Sequence, residues 1–228
     1  MTTEAQISPD DPRLRKRYYF EDTLLRRVLT ATVRGIFHLF TTINASGVEN
    51  LPTNGSVVLA ANHLTNFDVF PMQFVLPRLI YFMGKAELFT NPLLDPVFRR
   101  LGGFPVQRGE RDDWAFQHAL KVLEHDQLLG IFPEGKRSLG HGLRSAKTGV
   151  ARFALLSGAP IVPVAVVGTD QMFKRFPRRT QVTITVGDPI YPSADDSPLE
   201  LTDRIMFALA DLLPPRLRGV YAQRPDRF

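Results

Sequence analysis

The chain has 228 residues, 44% of them hydrophobic and 22% charged, a globular composition with enough length to bury a sizeable core. It contains no cysteine, which excludes a disulfide framework, a thiol nucleophile and any cysteine-ligated metal site. The net charge is +5, and arginines outnumber lysines 22 to 6, so anionic partners (nucleic acid, anionic lipid or a phosphorylated small molecule) are the ones composition favours.

Residues 1–20 are polar and contain prolines, which predicts a loosely ordered start. Residues 21–43 read as an amphipathic helix: Leu25, Val28, Leu29, Thr32, Ile36, Leu39, Phe40 and Ile43 recur at three- and four-residue steps, with Arg27 and Arg34 on another face. A basic amphipathic helix can lie in a membrane interface or cap its own domain, and the pattern does not choose between them. From residue 55 onward short β-branched runs predict strands at Ser56–Ala60, Leu79–Met83, Leu128–Phe132, Ile161–Val167 and Gln181–Val186. Helical patterns lie between and after them, at Val69–Leu76, Trp114–Glu124, Ala146–Leu156 and Leu199–Leu213. This alternation predicts an α/β fold: a single domain with a mostly parallel central sheet flanked by helices, preceded by the N-terminal amphipathic helix. The expected division is 1–44 for the N-terminal segment, 45–213 for the domain and 214–228 for a basic, frayed tail.

No run approaches the roughly 20 apolar residues that spanning a bilayer needs, and the N-terminus lacks the pattern of a signal peptide, so a cytoplasmic chain is expected. The charge is unevenly spread. From Gly135 to Thr169 there is no acid, while Lys136, Arg137, Arg144, Lys147 and Arg152 all fall there. Arg13, Arg15, Lys16 and Arg17 form a second cluster and Lys174, Arg175, Arg178 and Arg179 a third. A solvated basic face explains the outer two clusters as well as a binding role does.

Three segments carry candidate chemistry. Asn62-His63-Leu64-Thr65-Asn66-Phe67-Asp68 follows the first of these strands. His63 and Asp68, five apart, face away from each other on a continuous helix and lie on opposite faces of a continuous strand. They meet only if the chain turns between them, as at a strand-to-helix junction. A carboxylate there would orient the imidazole and stabilise its protonated form, which suits a general base; helix capping or a core role is the plainer alternative. In Gly102-Gly103-Phe104-Pro105-Val106-Gln107-Arg108-Gly109, glycines flank a short strand that ends at Arg108, a phosphate grip or a surface side chain after a tight turn. Phe132-Pro133-Glu134-Gly135-Lys136-Arg137-Ser138 follows the Leu128–Phe132 strand. Gly130–Lys136 matches the start of a nucleotide-binding P-loop, but Arg137 stands where a Ser or Thr must reach magnesium and Pro133 has no N–H, so that reading fails. The other histidines, His38, His118, His125 and His141, show no metal-ligand spacing, and no metal site is expected.

Taken in order, NHLTNFD, GGFPVQR, FPEGKRS and Ile161-Val162-Pro163-Val164-Ala165 resemble the four motif blocks of the glycerophospholipid acyltransferase family, whose type member is 1-acyl-glycerol-3-phosphate acyltransferase. Gly84-Lys85-Ala86-Glu87-Leu88 resembles the segment between its first two blocks. The likeness covers roughly residues 45–190. It implies that His63, oriented by Asp68, takes the proton of an acceptor hydroxyl as that hydroxyl attacks an acyl thioester. It implies Arg108 as a phosphate ligand, Glu134, Gly135 and Arg137 as completing that pocket, and Lys85 as a further contact. Its expected substrates are a lysophospholipid acceptor, foremost 1-acyl-glycerol-3-phosphate, which would give phosphatidate, with acyl-CoA or acyl-carrier protein as donor and no other cofactor. The amphiphilic acceptor implies peripheral attachment to an anionic membrane surface, at the inner face of the cell membrane, through helix 21–43 and the basic clusters. Lys136 departs from the third block, which usually has a small residue there, and this opens the acceptor to glycerol 3-phosphate, another lysophospholipid or a glycolipid. A non-catalytic anionic-lipid-binding protein is the rival of another class. Nucleic-acid binding has only the basic charge behind it and is not expected.

Overall fold

The computed structural model describes residues 7–20, 23–109, 111–174 and 177–225. Among the described residues seven strands form one sheet: β1 (Thr41–Ser46), β2 (Val57–Ala61), β3 (Ile80–Lys85), β4 (Gly103–Val106), β5 (Leu128–Ile131), β6 (Ile161–Val167) and β7 (Thr180–Val186). Their order is β1-β7-β6-β2-β5-β3-β4, and every pairing is parallel except that of β6 with β7. The helices are α1 (Leu24–Phe40), α2 (Val69–Val75), α3 (Asp95–Arg100), α4 (Asp113–Glu124), α5 (Gly149–Ser157) and α6 (Pro198–Asp211). The fold is therefore α/β with a mostly parallel sheet.

Central strand β2 shows why the layers form. All five of its residues are buried, and they alternate between two cores, as a period of two requires. Val58 and Ala60 join Ala119, Val122, Val150 and Leu201 from α4, α5 and α6. Val57, Leu59 and Ala61 join Met72 of α2 and the sheet's other face. Local chemistry sets the helix ends. Asp112 caps α4 by accepting the Ala115 N–H at 3.0 Å, and Ser197 caps α6 by accepting the Glu200 N–H at 3.2 Å while its hydroxyl donates to the Glu200 carboxylate at 2.6 Å, with Pro198 at the first position of the helix.

Three expectations need correction. The helix read through Ile43 ends at Phe40, and Thr41–Ser46 is the edge strand β1. The β-branched run Thr41-Thr42-Ile43 suits a strand, and the Thr41 hydroxyl, donating to the Phe37 carbonyl at 2.8 Å, helps close the last turn. The boundary drawn at residue 44 thus falls inside a strand of the sheet. The first described residues are a docked strap rather than a loose start. Arg13 pairs with Asp11 and Asp112, Lys16 with Asp95, and Tyr18 and Phe20 pack on the α4 side of the core. The tail is held as well: Leu217 is buried, Leu143 exchanges backbone hydrogen bonds with Leu217 and Val220, and the Tyr221 hydroxyl accepts the Ala146 N–H. Of the third basic cluster, Arg175 lies outside the described residues; Lys174, Arg178 and Arg179 are exposed.

Candidate active site

Ligand sites in parallel sheets form beyond the carboxyl ends of the strands. Here β2 leads into His63, β5 into the Phe132–Gly135 turn, β3 ends at Lys85, and β4 is followed by Arg108. After β2 the Asn62 side chain is held on the neighbouring strand, donating to the Val166 carbonyl at 2.8 Å and accepting the Val166 N–H at 2.7 Å. The chain then turns, and Asp68 reaches back to His63, with Oδ2 2.7 Å from Nδ1. Asp68 is fully buried. Its Oδ2 also accepts the Thr65 N–H at 2.8 Å, and its Oδ1 accepts the Thr169 hydroxyl. A carboxylate only accepts, so Nδ1 is the donor in this contact, and in a neutral ring the lone pair of Nε2 is then the acceptor.

The turn after β5 fixes the other side of His63. Glu134 is buried and accepts the His63 N–H at 2.9 Å through Oε1 and the Arg144 N–H at 3.0 Å through Oε2. Burial pushes the Glu134 carboxyl up, and those two N–H groups, with the charges near them, oppose the rise. Gly135 sits at φ +66°, a left-handed position that closes the turn with its N–H on the Phe132 carbonyl. Ser138 N–H donates to the His63 carbonyl at 2.7 Å. The His63 ring stacks on Phe132 with centroids 4.0 Å apart, and Phe132 stacks on Phe82 at 5.7 Å. Gly130 makes that column possible: a Cβ there would lie 2.2 Å from the Phe82 ring.

His63 opens into a cavity of about 400 Å³. Lys85, Arg108 and Arg137 line it with His63, and the rest is mostly apolar, including Phe70, Phe82, Met83, Phe89, Phe98 and Leu101. Lys85 forms an ion pair with Glu87 at 2.8 Å in which both side chains are more than half exposed, a contact easily given up to a ligand. A larger cleft of about 710 Å³ lies under α1, beside the residues that precede β2, β3 and β5, and none of these site residues line it.

The structure thus brings together His63, Lys85, Arg108 and Arg137 around one space, with Asp68 directly behind His63. Glu134 and Gly135 do not line that space; they build the turn that holds His63 from the other side. Lys136 is exposed and also lies outside the cavity lining.

A family model described as Acyltransferase matches residues 42–167. The chain belongs to this acyltransferase family. The 1-acyl-sn-glycerol-3-phosphate acyltransferase of Bacillus subtilis is 29% identical over 171 residues, covering 75% of this chain and 83% of the relative. The protein of the same name in Borreliella burgdorferi is 32% identical over 135 residues, 58% of this chain; the alignment spans 53% of that relative. The crystal structure of the 1-acyl-sn-glycerophosphate (LPA) acyltransferase PlsC from Thermotoga maritima superimposes with a TM-score of 0.68 at 25% identity, covering 82% of this chain and 78% of that one.

Two residues of this candidate site have parts that a reading by motif does not reach. Thr169 lies 101 positions from Asp68, and nothing local marks it. Asn62 is visible as part of NHLTNFD, but its role as a staple to β6 depends on a strand pairing that only the folded sheet shows. Gly130 carried a signal, a glycine inside a strand, which marks a close approach by another group.

Proposed function

We propose that this acyltransferase moves a fatty acyl group from a thioester to the free hydroxyl of 1-acyl-glycerol-3-phosphate, giving phosphatidate. The observation that carries the reading is the single cavity in which one imidazole, three cations and an apolar interior meet. An amphiphilic phosphate monoester asks for that combination: cations for the phosphate, apolar walls for acyl chain, and a base at the hydroxyl between them. The names of the relatives point to the same acceptor.

His63 Nε2 takes the acceptor's hydroxyl proton as the oxygen attacks the thioester carbonyl. Asp68 holds the imidazole by Nδ1 and stabilises the imidazolium that forms. The tetrahedral intermediate collapses, the C–S bond breaks, and His63 returns the proton to the departing thiolate, leaving ester and thiol. General-base help of this type contributes about 10²–10⁴-fold. Arg108, Lys85 and Arg137 hold the phosphate, the arginines offering planar forks. The reaction so drawn needs only the donor, acyl-CoA or acyl-carrier protein, and no further cofactor.

Attachment to the membrane is part of the proposal. Among the described residues no helix is long and apolar enough to cross a membrane. Helix α1 turns Val33 and Phe37 toward Phe70 and Phe74 of the domain, while Leu24, Leu25, Val28, Ile36 and Leu39 form an exposed stripe. Such a stripe, with Arg27 and Arg34 exposed nearby, favours peripheral binding to an anionic leaflet at the inner face of the cell membrane.

A comparison of acceptors tests the proposal. With purified protein and acyl-CoA or acyl-carrier protein, 1-acyl-glycerol-3-phosphate should give phosphatidate with the highest kcat/KM. A higher value for glycerol 3-phosphate or for lysophosphatidylcholine would overturn the assignment of the acceptor.

A further inference from the structure

Strand β6 carries the fourth sequence block, yet no side chain of that block enters the mechanism above. Its carboxyl end is nevertheless joined to the His63–Asp68 loop twice. The Asn62 amide bonds both the N–H and the carbonyl of Val166, and three residues on the Thr169 hydroxyl donates to Asp68 Oδ1. Gly168 between them sits at φ +98°, where a Cβ would lie 2.1 Å from the Gln181 carbonyl oxygen. That turn against β7 sets Thr169, 1% exposed, over the buried carboxylate.

The donors to Asp68 are unequally spread. Oδ2 takes the Thr65 N–H at 2.8 Å and His63 Nδ1 at 2.7 Å. Oδ1 takes the Thr169 hydroxyl and, among the described residues, has besides it only the Thr65 hydroxyl at 3.5 Å, the outer limit of a hydrogen bond. A buried carboxylate oxygen without a good donor is costly, and the group relieves that cost by rotating toward other donors. Rotation would take Oδ2 off the line of His63 Nδ1.

We propose that Thr169 is a positioning residue for acyl transfer, its hydroxyl holding the Asp68 carboxylate in the rotation that aims Oδ2 at His63. The inference rests on His63 and Asp68 acting as described under the proposed function. It gives the end of β6 a part in the reaction with no contact to substrate.

Steady-state kinetics of the full chain, with 1-acyl-glycerol-3-phosphate and the donor it accepts, tests this in Thr169→Val, Thr169→Ser, Asp68→Ala, the double variant Asp68→Ala/Thr169→Val, and His63→Ala. Valine keeps the buried volume and removes the hydroxyl. T169V should lower kcat by about 10–100-fold, the worth of a hydrogen bond to a charged group, with the acceptor KM within about twofold. T169S should recover most of the rate. In the Asp68→Ala background the valine should cost no more than about twofold further, because residues acting as one unit are not additive. Wild-type kcat in T169V, or its full loss repeated without Asp68, would overturn the role of Thr169 while leaving that of His63 intact. Full activity in His63→Ala would overturn both. Should T169V not fold, as a thermal melt reports, Thr169→Ala supplies the same comparison.

Discussion

Glu134 accepts the main-chain N–H of His63 at 2.9 Å with one oxygen, and its other oxygen accepts the N–H of Arg144 at 3.0 Å. A buried acid thereby clamps the end of β2 to the turn after β5 and to the loop that follows. That loop is in turn held by the C-terminal segment, through Leu143 with Leu217 and Val220 and through Ala146 with the Tyr221 hydroxyl. His63 is thus fixed from two sides, by Asp68 at its ring and by Glu134 at its backbone.

Replacing Glu134 with Gln keeps the shape but sets an amide N–H₂ against one of those two N–H donors. A buried donor left unsatisfied costs about 1–3 kcal/mol. E134Q should therefore melt below the wild type and lose kcat more than acceptor affinity. A thermal melt and steady-state kinetics check this; an unchanged melt with a raised acceptor KM would mean that Glu134 meets substrate instead.

Arg108 predicts a different pattern. It lines the cavity as an exposed cation, so R108A should leave the melt unchanged and raise the acceptor KM by about 10–100-fold, the worth of a charge-assisted hydrogen bond. R108K should restore only part of this, because an ammonium lacks the planar fork. Kinetics of the two variants side by side separate a phosphate ligand from a bystander.

The stripe on α1 allows a test at the membrane. Leu25, Val28 and Ile36 are each at least half exposed, so glutamates there should not disturb the fold. The triple variant should lose co-sedimentation with anionic vesicles while keeping its melting temperature. Deleting residues 1–44 would not serve, because Thr41–Asn44 are part of β1. Unchanged vesicle binding by the triple variant would remove α1 as the anchor.

His118 predicts how stability depends on pH. Burial among Tyr18, Phe20, Phe104 and Trp114, with smaller contributions from the charges of Lys121 and His125, lowers its pKa to about 4. The unfolded chain takes up that proton near pH 6.5, the folded one only near 4. The unfolded state therefore binds more protons in this window. The contribution is fully present above pH 6.5, is lost as pH falls toward 4, and changes no further below that. Chemical unfolding of His118→Phe from pH 7 to 4 should show up to about 3 kcal/mol less acid-side loss than the wild type.

Much of this was legible in the sequence, and the parts that were not share a cause. The strands of the parallel core announce themselves as β-branched runs, and five of the expected runs became β2, β3, β5, β6 and β7 within a residue or two. The spacing of His63 and Asp68 required a turn, and the turn is there. The missed pieces depend on contacts distant in sequence. Thr41–Ser46 is a strand because β7 pairs with it, and Asp95–Arg100 is a helix of six residues, too short to show a period. Tyr18 and Leu217 lie in segments whose polar composition hides a few well-placed apolar side chains. Glu134 appeared in a motif as a binding residue, but which way its carboxylate faces depends on β5 lying beside β2.

The central claim is that His63 is the base for acyl transfer. Its most direct test is thiol release from acyl-CoA, and from acyl-carrier protein, by wild type and His63→Ala in the presence of 1-acyl-glycerol-3-phosphate. Thiol release with phosphatidate formation by the wild type, reduced at least about 10²-fold in a variant that melts normally, is the predicted result. A folded His63→Ala protein that turns over at the wild-type rate would contradict it.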